Sequence, residues 1–367
     1  MNDQPAPRGR GAGNPGICVL FWVGPAQARA GRLAGRRGGH ILRPMSKQIR
    51  IAASASVLAL ATLSVPAPQA QAQAQAQAQG SFTVLETGQS FSRLQDAVDA
   101  IGDNTGRIAI APGTYRQCAV QEAGEISYLA SEAGSAIFDG TECEGKAALV
   151  LRGRAAEVSG LVFQNMRVAD RNGAGIRLET GNLTVAQSWF RDSEQGILSG
   201  DGIGARIVID HSTFSRLGTC EGSGGCAHSI YTGEYGQLRI TNSRFEEGAG
   251  GHYVKSWASR VDIASTSFDD TRGRGTNYMI DLSGGSTGQI SNNWFVQGRD
   301  KENYSAFITV APEEHRNSAN GLQVVGNTAR LAPGVSRETA FVADWSGDRI
   351  HIADNRLAGG IAPYERR

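Results

Sequence analysis

Thr184-Val185-Ala186-Gln187-Ser188-Trp189-Phe190 joins a β-rich phrase to a polar turn and a closing aromatic. The chain repeats the phrase at 207–214, 238–245, 261–268 and 289–295, ending on Phe214, Phe245, Phe268 and Phe295. Fainter copies end at Ala329 and Leu357. Apolar and polar residues alternate with period two in each copy, as in a strand with one face turned inward. A small polar residue stands just ahead of each end: Ser188, Ser212, Ser243, Ser267, Asn293, Asn327 and Asn355. Such residues bond to their own backbone at a sharp bend, and stacked copies would form a ladder.

The steps between the ends are 24, 31, 23 and 27 residues. A fixed phrase at a variable step of this size describes coils of constant core with loops of variable length, a solenoid. Helical periodicity is absent and leucine is not the recurring residue, which argues against a leucine-rich repeat. Each coil has room for roughly three short strands separated by Gly, Asn and Ser turns. The expected architecture is all-β, a parallel β-helix.

The composition allows this. In 367 residues, 40% are apolar and 19% charged, enough to bury a core. The formal charge of +1 gives no global basic field, so nucleic acid is not an implied partner. The charge is uneven. Residues 1–80 carry nine Arg/Lys and one acid, leaving 27 basic against 34 acidic groups, a net −7, in the remainder. Residues 1–44 are Gly/Arg/Pro-rich and read as an over-extended start. From Met45, a positive start (Lys47, Arg50), an apolar run (Ile51–Val65) and an Ala-Gln repeat to Gln79 read as a signal peptide and linker. The run is too short for a membrane span. A periplasmic or secreted monomer with no membrane insertion after signal removal is expected. Its solenoid spans 80–360, and 361–367 form a tail.

Phe91, Leu94, Val98 and Ile101 share one face of a predicted helix that would cover the open end of the first coil. Ile108-Ala109-Ile110 and Pro112-Gly113-Thr114-Tyr115 then begin that coil. With the Asn/Ser-x-Phe repeats, these segments resemble the pectate-lyase-like superfamily of right-handed β-helices over nearly all of 81–360.

Four cysteines follow the leader: Cys118, Cys143, Cys220 and Cys226. An even number fits an oxidising compartment, and three pairings are possible. Cys118 and Cys143 lie one coil length apart and Cys220–Cys226 brackets a short Gly-rich loop, which favours those two bridges. The first would contribute about 3 kcal/mol. No metal-ligand spacing is present.

The strand after each Phe turn aligns on Ile176, Ile197, Ile230, Val254, Ile280 and Ile308 as inward residues. Their successors, Arg177, Leu198, Tyr231, Lys255, Asp281 and Thr309, should point outward in a column with a rung spacing of about 4.8 Å. His228, His252 and Tyr278 precede three of these strands, and Tyr253 adjoins Lys255. No other region gathers such groups. Lys255 is one of only three lysines after the leader, with Lys146 and Lys301.

Lys255-Ser256 resembles the Lys-Ser pair of chondroitinase-B-like and alginate lyases on this fold. That resemblance implies a lysine base and a Ca²⁺ ion that neutralises the substrate carboxylate. Tyr253 stands where those enzymes carry an acid on the same strand, and Asp281 where they carry an arginine. The departures leave room for a metal-free site, with no confidently implied cofactor. The expected activity is that of a lyase or C5-epimerase on an acidic, uronic-acid polysaccharide. Lys255 would be the base, and Tyr231 or His228 the proton donor to the leaving oxygen. His252 with Arg260, Arg272 or Arg274 would bind the carboxylate, and Arg177, Tyr253, Tyr278 and Asp281 would form the surrounding subsite. Two rivals are a hydrolase using Asp269-Asp270 or Glu313-Glu314 and a non-catalytic carbohydrate-binding protein.

Overall fold

A computed structural model of the chain describes residues 80–222 and 225–367. The expected over-extended start, signal peptide and Ala-Gln linker lie outside the described residues. The rest winds into a parallel β-helix with three sheets, one of twelve strands and two of ten. Each repeat phrase enters on the first sheet, as Asn182–Ala186 does, turns, and leaves on the second, as Trp189–Arg191 does. A third strand, such as Gln195–Ser199, completes the coil.

The period-two reading holds. On the first sheet Leu183, Val185, Ile207, Ile209, Leu238, Ile240, Val261 and Ile263 are fully buried, and register pairs like with like up the stack. On the second sheet Phe163, Phe190, Phe214, Phe245, Phe268 and Phe295 stack, with successive ring centroids 4.7–5.0 Å apart. Ala329 interrupts this column above Phe295, and Phe341 tilts its edge onto Phe295 at 5.6 Å instead.

The turn between these sheets has one design. The residue before the ladder position takes a left-handed conformation: Gln187, His211, Asn242, Ser265, Asn292 and Asp354, with Gly160 and Gly326 in two copies. That single residue bends the chain from one sheet to the next, and none of these side chains is β-branched at Cβ. The next side chain then accepts a backbone N–H from the rung before it. Ser188 N–H donates to Ser212 Oγ (3.3 Å), Ser212 to Ser243 (3.1 Å), Thr266 to Asn293 Oδ1 (3.0 Å), Asn293 to Asn327 (2.9 Å) and Asn327 to Asn355 (2.9 Å). The fourth member is Thr266, which accepts from Ser243 at 3.3 Å. Ser267, expected in that place, is the first residue of the following strand.

At the N-terminal end, helix α1 (Leu94–Ile101) buries Leu94, Ala97, Val98 and Ile101 over the first coil. Phe91 is not part of it. It lies in a two-residue strand antiparallel to Phe82–Val84, which pairs in turn with the first coil. At the other end residues 361–367 are not a tail: Ile361–Arg366 pairs with Thr339–Asp344 as the last strand of the third sheet. Cys118–Cys143 and Cys220–Cys226 are both disulfide-bonded. No helix among the described residues is long and apolar enough to cross a membrane. Both facts are compatible with an extracellular or periplasmic protein.

Candidate functional site

The third sheet carries the expected column. Ile176, Ile197, Ile230, Val254, Ile280 and Ile308 are in register and fully buried. Beside them Arg177, Leu198, Tyr231, Lys255, Asp281 and Thr309 form one outward row.

Alternation breaks where these strands begin. Tyr253 and Val254 are both buried, as are Met279 with Ile280 and Phe307 with Ile308. The irregular step brings His228, His252 and Tyr278 round to the outward side, one per rung. His228 and His252 have ring centroids 5.0 Å apart, and His252 and Tyr278 5.6 Å. His228 also meets the Tyr231 ring edge-on at 5.4 Å. Gly251, at positive φ, makes this possible, since a side chain there would collide with the Ala227 carbonyl on the rung below. The close approach aims the His252 N–H at His228 Nδ1, 2.9 Å away.

The same break turns Tyr253 inward, away from any substrate. It packs edge-on against Phe245 and Phe268, and its hydroxyl donates to Asp270 Oδ1 at 2.8 Å. The three arginines expected at the carboxylate are also elsewhere. Arg260 is on the first sheet, paired with Asp262 at 2.7 Å. Arg272 pairs with Glu247 just beyond the second sheet. Arg274 is exposed in the same loop, its N–H on the Gly248 carbonyl. Arg177 does share the outward row, three rungs or about 14 Å from Lys255. It pairs with Glu179 at 3.2 Å and borders a small recess of about 150 Å³ with Lys146, Asp170 and Asn172.

Lys255 is the centre of the cluster. Its ammonium donates to Glu313 and lies 3.9 Å from Asp281 Oδ2 and 5.6 Å from the centroid of the Tyr231 ring. Only 12% of its side chain is exposed, against 46% for Glu313. Asp281 is buried and accepts from Thr309 Oγ1 (2.9 Å) and Ser283 Oγ (3.0 Å), with His252 Nε2 at 3.5 Å. Burial pushes the Asp281 carboxyl up from its ordinary value, against the pull of Lys255, Thr309 and Ser283. Burial and then Lys255 and Lys301 push His252 down to about 3. Burial, His252 and Lys255 hold His228 well below its ordinary value. Both imidazoles are therefore neutral at pH 7. His228 accepts on Nδ1, so its proton is on Nε2, and His252 Nδ1 is buried with no hydrogen-bond partner among the described residues.

Glu313 belongs to the site although its place in a loop after a strand gave no periodic sign of it. The segment after Ala306–Val310 folds back over the neighbouring rung. Its amides at Glu313 and Glu314 bond to the Ser283 carbonyl, and those at Arg316 and Asn317 to Gly284. Arg316 then lies over the Trp257 ring at 5.0 Å. A Ca²⁺ site does not fit here. Ca²⁺ takes six to eight oxygen ligands, whereas the two carboxylates available, Asp281 and Glu313, already flank the Lys255 ammonium. Cys220, Cys226 and Glu302 also converge, but these cysteines are bonded to each other.

No curated protein matches the sequence. Among solved structures, ORF18 of Geobacillus virus E2 aligns at 11% identity and a TM-score of 0.45, covering 74% of this chain. This chain spans 57% of that one's length. A family model described as "Right handed beta helix region" matches residues 148–357. That match takes in more than half of the chain and the whole run of Phe-ended coils, and the chain belongs to the right-handed β-helix family.

Proposed function

We propose that the face centred on Lys255 binds an acidic, uronic-acid polysaccharide and removes the proton next to the sugar carboxylate, as a lyase or C5-epimerase does. The observation that carries the reading is the ion pairing of Lys255. An ammonium that already binds carboxylates, one of them on an exposed side chain, is suited to pair with the substrate's carboxylate in place of Glu313, not to abstract a proton. Lys255 therefore takes the role first given to the arginines. It neutralises the uronate carboxylate and stabilises the charge that grows on it as the proton leaves.

Tyr231 is then the proton-transferring group. It is the next residue down the column, partly buried, with the Lys255 cation beside its ring and His228 set edge-on against it. Asp281, His252 and Thr309 are buried and position Lys255. Arg177 is a second charge along the same row, where a longer chain would meet it.

Turnover of uronate polymers, read as the absorbance of unsaturated product or as C5 inversion, tests the assignment. Tyr231→Phe should lower kcat by about 10²–10⁴ with KM little changed. Lys255→Ala should raise KM as well as lower kcat. Unchanged affinity in Lys255→Ala would remove the carboxylate-binding role.

A further inference from the structure

We propose that Glu313 is an internal stand-in for the substrate carboxylate, held on Lys255 until a uronate displaces it, an inference that rests on the uronate reading above. The geometry is that of an occupied anion site. The Glu313 carboxylate takes the solvent side of the Lys255 ammonium, while Asp281 sits beneath it. Four backbone hydrogen bonds to Ser283 and Gly284 fix the segment that carries it. Arg316 adds an anchor through Glu234, Glu314 and the Trp257 ring. The backbone is thus held on the sheet, while the Glu313 side chain is nearly half exposed. The side chain can swing out without moving the loop.

Consider what each ligand then meets. A neutral sugar offers nothing to replace the ion pair, and Lys255 stays capped. A uronate exchanges one carboxylate for another at the ammonium, an exchange close to even in free energy, and the displaced Glu313 swings into water. The cap therefore lowers affinity for every anion and leaves neutral sugars unrewarded. Without it, Lys255 would be free to engage any anion of suitable size. Glu313 was expected only as one of a pair of hydrolase carboxylates. Its contact with Lys255 gives it a different task, holding an anion's place.

Binding of purified wild type and Glu313→Gln to polygalacturonate, polymannuronate and methyl-esterified polygalacturonate, by calorimetry at low salt, tests this. Gln keeps the shape and removes the charge. Glu313→Gln should bind an acidic polymer about three- to tenfold more tightly than wild type, with no gain for the esterified polymer. Equal or weaker binding by Glu313→Gln to a polymer that wild type binds overturns the stand-in and leaves the uronate reading intact. A gain of the same size for the esterified polymer overturns the exchange of one carboxylate for another at Lys255. If neither protein binds any acidic polymer, the uronate reading falls and the stand-in falls with it.

Discussion

His228 Nδ1 accepts the backbone N–H of His252 at 2.9 Å, so the side chain of one rung caps the main chain of the next. The bond requires an unprotonated Nδ1, and burial keeps both imidazoles neutral.

This has a consequence for stability. An unfolded imidazole titrates near 6.5, whereas native His252 titrates at about 3 and His228 well below 6.5. Above pH 6.5 neither state gains a proton and the full stability is present. Below it the unfolded chain takes up protons that the native state refuses, so stability falls with falling pH. The slope approaches about 1.4 kcal/mol per pH unit for each imidazole. The raised carboxyl of Asp281 acts in the opposite sense, in a window starting at its ordinary value of 3.8. Thermal unfolding at pH 7 and pH 5 should show a larger drop in Tm for wild type than for His252→Gln. Parallel drops would contradict the account.

Asp270 and Lys301 form a fully buried ion pair at 3.2 Å. Tyr253, Thr276 and the Gly298 N–H complete the carboxylate's shell, and Lys301 also donates to the Asn277 carbonyl. Lys301→Met should cost about 3–5 kcal/mol, because it strands a buried charge. Asp270→Asn in the same chain should recover part of that loss. Denaturant unfolding of the two single variants and the double variant measures the coupling.

Asn327 links three rungs. It accepts from Asn293, donates to the Ile290 carbonyl at 2.9 Å, and its own N–H reaches Asn355. Asn327→Ala leaves a buried N–H and a buried carbonyl unpaired and should cost about 2–4 kcal/mol. Asn327→Ser, which keeps an acceptor like that of Ser243 three rungs down the ladder, should cost less. Equal losses in chemical denaturation would mean that the ladder bond is not the source.

Much of this was legible because it repeats. The inward aliphatics, the Phe column and the turn ladder recur at fixed offsets, and period two put Arg177 to Thr309 in one register row, although Asp281 and Thr309 at its end are buried. What failed was local. Tyr253 was expected to line the substrate face, but an irregular step after Gly251 reversed it. Arg260, Arg272 and Arg274 are close to Lys255 in number only, since a solenoid carries residues a few places apart onto different walls. Glu313 was hidden for the opposite reason. It is 58 residues from Lys255 and arrives by a loop whose path no periodicity records.

Removal of the proton on the sugar carbon beside the carboxylate is the step that a lyase and an epimerase share. Proton NMR of a uronate oligomer incubated with the protein in D₂O observes that event directly. The C5–H signal should vanish with wild type and persist with Tyr231→Phe. Chain cleavage with every C5–H retained, or equal loss of the signal in the Tyr231→Phe variant, would contradict it.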